Sequence, residues 1–334
     1  MRVAAFDFGT VTTRMLIADV GPQAIDELLR RTTITHLGEG LSETGLISPA
    51  ACQRILAACK EYLALAALNA QGTPVALTAV GTSALRDAQN RDDLLAPLAK
   101  LGIDPQVISG SEEARLSFWG ALSGFTDNGA NAPIQHPHPG LTLVVDIGGG
   151  STELIAGQAA ENPGLAWADR LTTSQILQSQ SFDVGARRLT DRFLHSDPPT
   201  PAELEAARDA VRGLFSPWFR GLLAQGAAIG RILAVAGTAT TVVSIRDQMA
   251  VYDPGRVHGS RVSGPELCAV TQQLAALPLS ARRQVVGLEP GRASVVIGGL
   301  LVLEVVFELA ASDSYIASES DILRGIVLDT WLSA

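Results

Sequence analysis

One short pattern occurs in each half of this chain, and it constrains the fold more than any other feature. Asp7-Phe-Gly9-Thr10-Val11-Thr12-Thr13 and Asp146-Ile-Gly148-Gly149-Gly150-Ser151-Thr152 share the form D-x-G-x-x-[ST]-T, 139 residues apart. Each follows a short apolar run, Val3 to Phe6 or Leu141 to Val145. A second run follows each, Thr13 to Val20 or Leu154 to Ala156. Strand, glycine turn and strand, repeated at domain size, predict an internal duplication. A chain of 334 residues that is 47% hydrophobic has the material for two such cores.

Between the repeated turns, strands alternate with helices. Ser48 caps a helix that begins at Pro49 and runs to about Leu68; Pro74 to Val80 reads as a strand, and Asp92 to Leu101 as a helix. Val107-Ile108 ends a strand, and Ser109-Gly110-Ser111-Glu112 opens a helix with capping-box spacing. In the second half Thr200-Pro201-Ala202-Glu203 opens a helix to about Gln225, and Ile232 to Ala236 is a strand. Gly264-Pro265 precedes a helix, Ser294 to Ala311 forms another, Tyr315 to Ala317 is a short strand, and Asp321 to Leu332 a last helix. This order predicts an α/β protein. Gly124 to Gly140, rich in Gly, Asn, His and Pro and including His136 and His138, reads as the connection between domains. Two histidines with no Cys, Asp or Glu nearby read as solvated rather than as a metal site.

Charge narrows the function. With 34 acids against 25 bases the net charge is −9 and aromatics are 5%, the opposite of a nucleic-acid-binding surface. Asp7 and Arg14 interrupt the N-terminal apolar run before a signal sequence can form. The longest apolar run, Ser294 to Ala311, carries Glu304 and Glu308 and is too short to span a bilayer. Cys52, Cys59 and Cys268 make no CxxC pair, and the first two, seven apart, read as core packing in a reducing cytoplasm. The expectation is a protein with no membrane and no nucleic-acid partner.

A glycine turn after a strand exposes backbone N–H groups as a nest for phosphate oxygens. Thr10, Thr12, Ser151 and Thr152 add hydroxyl donors, and Asp7 and Asp146 stand at strand ends where a carboxylate can hold hydrated Mg²⁺. Glu153 offers a further oxygen through water. Taken singly, either turn reads equally well as a tight hairpin with an Asx-turn; as a repeated pair facing each other across a cleft they read as a phosphate clamp. In Ser109-Gly-Ser-Glu112-Glu113-Ala-Arg115, a capping box employs Glu112 on the Ser109 amide. Glu113, about 100° further round the helix, is left without a local task. Arg86, in Gly81-Thr-Ser-Ala-Leu-Arg86, reads either as a phosphate contact or as an exposed salt-bridging arginine.

Together these motifs resemble the exopolyphosphatase/guanosine pentaphosphate phosphohydrolase (Ppx/GppA) family. The resemblance rests on Asp7 to Arg14, Gly81 to Arg86, Ser109 to Arg115, Val145 to Glu153 and Ala236-Gly-Thr-Ala-Thr240, in that order. His195 to Pro201, Tyr252-Asp-Pro, Pro290-Gly-Arg292 and Ser318 to Leu323 look like its short actinobacterial exopolyphosphatases. The resemblance implies an actin-like (ASKHA) fold, two ribonuclease-H-like domains with an interdomain cleft. Residues 1–125, joined by 313–334, would form the first domain and 126–312 the second.

It further implies that Glu113 is the catalytic base and Arg86 a phosphate-contacting catalytic arginine. Gly9, Thr10 and Thr12 would form the first phosphate loop and Gly148, Gly149, Gly150, Ser151 and Thr152 the second, with Asp7, Asp146 and Glu153 at the metal, Mg²⁺ or Mn²⁺. The family's first loop usually reads D-x-G-[ST]-N-[ST]; here Val11 stands in the Asn place, so that loop lacks one amide donor. The implied reaction is metal-dependent hydrolysis of the terminal phosphoanhydride bond of inorganic polyphosphate, with short chains favoured because the extra C-terminal helical domains of long members are missing. A pppGpp phosphohydrolase, an ATP-dependent enzyme of the same superfold and a non-catalytic polyphosphate or (p)ppGpp sensor remain as alternatives. A homodimer is implied by the resemblance alone.

Overall fold

Val3, Ala4, Ala5 and Phe6 are all fully buried, as a central strand covered on both faces requires. The computed structural model describes residues 1–70, 72–126, 140–160, 167–226 and 228–334. The chain divides into two units, 1–132 with 161–173 and 320–334, and 133–160 with 174–319.

In the first unit, β1 (Arg2–Phe8), β2 (Thr12–Val20) and β3 (Ile25–Ile34) form an antiparallel meander. β4 (Val75–Gly81) and β5 (Gln106–Val107) then add in parallel, giving the order β3-β2-β1-β4-β5. The helix Pro49–Ala70 starts where expected, with the Ser48 hydroxyl accepting the Ala51 amide at 3.2 Å. Its Ile55, Cys59 and Tyr62 pack with Phe6, Phe8, Met15 and Ile17 of the sheet. Burial pushes the Cys59 thiol up to about 12, so it is inert; Cys52 is half-buried and Cys268 exposed.

The helix Gly110–Thr126 crosses the last helix, Ile322–Leu332, which also packs on β1 and β2. Glycines let the two backbones touch. A Cβ on Gly120 would lie 1.9 Å from the Asp321 carbonyl oxygen, and one on Gly325 would lie 2.0 Å from that of Leu116. Arg115 Nη2 to Asp329 at 2.8 Å and Arg324 Nε to the Ser123 hydroxyl at 2.7 Å tie the crossing on its flanks.

The second unit repeats the plan. β6 (Leu141–Ile147), β7 (Thr152–Gln158) and β8 (Gln175–Phe182) are antiparallel. β9 (Ile229–Val235) runs parallel to β6, β10 (Arg261–Ser263) closes one edge, and β11 (Ser314–Ser318) lies parallel to β9. The order is β10-β11-β9-β6-β7-β8, so β6-β7-β8-β9-β11 retraces β1-β2-β3-β4-β5. Val211, Phe215, Trp218 and Phe219 of the helix Pro201–Ala224 join the buried helix Val296–Ala310 in its core.

Several elements depart from the sequence reading. β3 and β8 were not expected, because Asp26, Glu27, Arg30 and Arg31 in one and five Gln or Ser side chains in the other hide the strand alternation. β11 is buried beside β9, so the described chain joins the first unit from Ser320 rather than from 313. The helix Trp167–Thr173 also belongs to the first unit, where Trp167 Nε1 donates to the Gly21 carbonyl at 3.1 Å. Most of the expected connection, with His136 and His138, lies outside the described residues. Among the described residues no helix is long and apolar enough to cross a membrane.

Gly120→Ala and Gly325→Ala should each destabilise the protein by about 1–3 kcal/mol or more through overpacking, read as a lower Tm. Gly213→Ala, on a helix with open space around it, should raise stability by about 0.5–1 kcal/mol. Equal effects at all three positions would contradict the backbone contact.

Candidate active site

The two repeated turns share one geometry. Gly9 N–H donates to the Thr12 carbonyl at 3.0 Å, and Gly148 N–H to the Ser151 carbonyl at 3.0 Å. A Cβ on either glycine would sit 3.2 Å from that same carbonyl oxygen. None of Gly9, Gly148, Gly149 and Gly150 takes a positive φ. At Gly9 and Gly148 glycine therefore supplies space rather than handedness.

Their surroundings differ. In the first turn the Thr10 carbonyl accepts from Gly38 and the Val11 carbonyl from Thr35 and His36. Val11 is only 8% exposed. In the second turn the carbonyls of Gly148 and Gly149 face the start of the helix Ala186–Phe193 and accept the amides of Ala186, Arg187 and Arg188 at 2.8–3.1 Å. Arg188 Nε donates to the Gly150 carbonyl at 2.8 Å. Gly185 makes the approach possible, since a Cβ there would lie 2.7 Å from the Gly148 carbonyl oxygen. With the carbonyls engaged on the helix, no protein acceptor among the described residues takes the amides of Gly149 and Gly150. Those two donors suit an anion. Thr152 spends its hydroxyl proton on the Val184 carbonyl at 2.6 Å.

The carboxylates follow the same repeat with an inversion of charge. Asp7 faces Arg14 across β1 and β2, and Asp146 faces Glu153 across β6 and β7. Position 153 is the repeat partner of position 14, so an ion pair in one unit corresponds to two acids in the other. Asp7 is 1% exposed; its Oδ2 takes Arg14 Nε at 2.7 Å and Nη2 at 2.6 Å, while Oδ1 has no hydrogen-bond partner among the described residues. Burial raises the Asp7 carboxyl above the ordinary range, with Arg14 pulling it back. Glu153, 1% exposed, accepts from the Ser181 hydroxyl at 2.7 Å, and Asp146 is 6% exposed.

Like charges directly opposite weaken a sheet, and carboxylate oxygens suit a hard divalent cation. By donor chemistry the Asp146–Glu153 pair of the second unit suits such a cation, and in the first unit so does the orphaned Asp7 Oδ1. Asp146 and Glu153 stand side by side; Asp7 belongs to the other unit, and no three His, Cys, Asp or Glu side chains gather among the described residues.

Glu113 lies in the first turn of the helix Gly110–Thr126, where the helix dipole favours a negative charge. It is 7% exposed, and its Oε2 takes Arg86 Nη1 at 2.6 Å. Arg86 ends the short helix Ser83–Asp87 after β4 and also donates to the Ile108 carbonyl at 3.1 Å. The two residues expected to be catalytic thus form one pair.

The capping box is only half built. Ser109 Oγ accepts the Glu112 amide at 3.2 Å, but the Glu112 carboxylate turns to Arg115 at 2.5 and 3.0 Å instead of returning to the Ser109 amide. A guanidinium fork offers it two charge-assisted bonds, and Arg115 holds Glu112 below the usual carboxylate range.

Sequence reasoning passed over Gly185 and the surroundings of Gly237. A Cβ on Gly237 would fall 1.4 Å from Arg292 Nη1, so that guanidinium occupies the space beside the start of the helix Ala236–Arg246. The Tyr252 hydroxyl donates to Glu319, whose amide donates to His258 Nδ1 at 3.2 Å. The signal was available, since Pro290-Gly-Arg292, Tyr252 and Ser318-Glu319 were noted as motifs without a task.

Comparison with known proteins follows this geometry. Residues 16–334 match the Ppx/GppA phosphatase family. The chain is 37% identical to Exopolyphosphatase 2 of Mycobacterium tuberculosis, over 98% of both chains. It superposes on the crystal structure of an exopolyphosphatase-like protein with a TM-score of 0.85 and 34% identity, covering 100% of this chain and 99% of that one. For an exopolyphosphatase from Cytophaga hutchinsonii the TM-score is 0.82 and the identity 26%, over 100% and 98% of the two chains.

Val11→Asn tests how the first turn is built. The sequence pattern alone allows the amide to reach a phosphate; burial of Val11 instead predicts a polar group set among packed atoms, costing about 1–3 kcal/mol. A melt should show a lower Tm. An unchanged Tm with a lower KM would mean that position 11 faces the ligand.

Proposed function

Because the chain belongs to the Ppx/GppA phosphatase family, we propose that it is an exopolyphosphatase that removes the terminal phosphate of inorganic polyphosphate by metal-dependent hydrolysis. The oxygen of water bonds to the terminal phosphorus, and the bond from that phosphorus to the bridging oxygen breaks. One orthophosphate leaves, and the chain is one phosphate shorter. Phosphoryl transfer asks a protein for positioning and charge neutralisation more than for covalent chemistry.

The observation that carries this reading is the Glu113–Arg86 pair. A nearly buried carboxylate, steadied by a guanidinium at 2.6 Å, is suited to orient a water and take its proton. General-base help of this kind contributes roughly 10²–10⁴-fold. The Arg86 guanidinium spreads the charge that develops on the transferred phosphoryl oxygens. The unspent amides of Gly149 and Gly150 offer neutral donors to phosphate oxygens. Asp146 and Glu153 in the second unit, and Asp7 Oδ1 in the first, are the oxygens we assign to Mg²⁺ or Mn²⁺, which neutralises phosphate charge when bound.

The reading extends to short polyphosphate chains as the preferred substrate, to the cytoplasm as the compartment and to a homodimer. Net charge −9 is compatible with a polyanionic substrate if arginines and metal dominate locally.

Phosphate release should be measured with polyphosphates of several lengths, pppGpp and ATP. Polyphosphate should be the best substrate; preference for pppGpp or ATP would move the assignment to a guanosine pentaphosphate phosphohydrolase or an ATPase, and no release from any of them to a sensor. Excess chelator should abolish release, and undiminished release would remove the metal from the reaction. Glu113→Gln should lower kcat by ~10² or more with KM nearly unchanged. A variant keeping more than about a tenth of wild-type kcat would contradict Glu113 as the base.

A further inference from the structure

Asp7 presents an arrangement that neutralisation alone does not explain. A buried carboxylate beside an arginine is best satisfied by a side-by-side pair, in which two guanidinium nitrogens meet two carboxylate oxygens. Here both Arg14 Nε and Nη2 converge on Oδ2, at 2.7 and 2.6 Å, and Oδ1 is left buried with no partner among the described residues. An oxygen so placed costs free energy unless something takes it up.

The arginine is not free to swing into the side-by-side pose. Its third nitrogen, Nη1, is held by Asp321 Oδ2 at 2.5 Å. Asp321 is pinned in turn: its Oδ1 accepts Arg30 Nη1 and the Leu323 amide, each at 3.1 Å, and its backbone lies against Gly120. Arg14 and Arg30 keep the Asp321 carboxyl below the usual range despite its burial.

We propose that Arg14 is a positioning residue, which fixes Asp7 by one carboxylate oxygen so that the other is presented to a divalent cation, with Asp321 at the head of the last helix fixing Arg14. The proposal rests on the reading of Asp7 as a metal-holding acid. It assigns the difference between the two repeats a purpose. In the second unit the position opposite the aspartate carries Glu153, another oxygen donor; in the first it carries the group that aims the donor already there.

The test is binding of Mn²⁺ to the full chain without substrate, followed by the loss of the free-ion electron paramagnetic resonance signal, with Tm measured on every variant. Arg14→Lys keeps the charge but not the fork, and should weaken Mn²⁺ binding roughly 10-fold or more at a nearly unchanged Tm, within the ~10–100-fold range for residues that orient a metal ligand. Arg14→Gln should weaken it at least as much. Asp321→Asn, which loosens Arg14 without touching Asp7, should follow Arg14→Lys. Asp329→Asn breaks another bond to the last helix, and should leave Mn²⁺ binding as in wild type.

If wild type binds no Mn²⁺, the metal reading falls and this proposal with it. If wild type binds and folded Arg14→Lys binds equally well, the metal reading stands and the role of Arg14 is overturned. An equal loss in Asp329→Asn would also overturn it, since general loosening of the helix would then account for the effect.

Discussion

The backbone contact between the helices Gly110–Thr126 and Ile322–Leu332 is the constraint on which the first unit depends. Gly120 and Gly325 leave no room for a side chain, so the crossing fixes both helices to a fraction of an ångström. One helix carries Glu113 in its first turn; the other begins at Asp321, which holds Arg14 and through it Asp7. Packing forces are short-ranged and steep, so a contact this close fixes the helices from which both carboxylates are held. The flanking contacts of Arg115 and Arg324 add direction to the crossing; a partly exposed ion pair such as Arg115–Asp329 contributes ~1 kcal/mol or less.

Duplication explains the scaffold, and divergence explains the chemistry. Both sheets begin with a meander and add parallel strands beside the first, and both turns close with the same hydrogen bond. What changed is the strand position facing the aspartate, Arg14 in one copy and Glu153 in the other, and the environment of the turn. The first turn is tied to the Thr35–Gly38 segment, whereas the second caps the helix Ala186–Phe193 and keeps two amides unspent. A symmetric ancestor would offer two equivalent anion sites. The present chain offers one turn with donors to spare and one buried aspartate aimed by an arginine.

The sequence disclosed what short-range chemistry dictates. The turns, the strands on either side of them and the capped helices at Ser48 and Thr200 follow from residue type and spacing, and Glu113 stood out because its neighbour already had a use. That use was misjudged, since the Glu112 carboxylate prefers Arg115 to the Ser109 amide. A competing guanidinium three residues on was visible, but its strength relative to a backbone amide depends on the fold. The polar edge strands Ile25–Ile34 and Gln175–Phe182 escaped because half-exposed strands need few apolar residues. Gly185, and the close approach of Arg292 to Gly237, are long-range facts that no local pattern encodes. The pairing of Arg86 with Glu113, 27 residues apart, is of the same kind: each residue was singled out, and only the fold joins them.

The central claim is that water, prepared by Glu113, attacks the terminal phosphorus of a polyphosphate chain. Turnover in heavy-oxygen water tests it most directly, with mass spectrometry of the released orthophosphate and of the shortened chain. The account predicts a single labelled oxygen in each orthophosphate released and none in the remaining chain, with the label lost along with turnover in Glu113→Gln. Unlabelled orthophosphate, or label in the remaining chain, would contradict it.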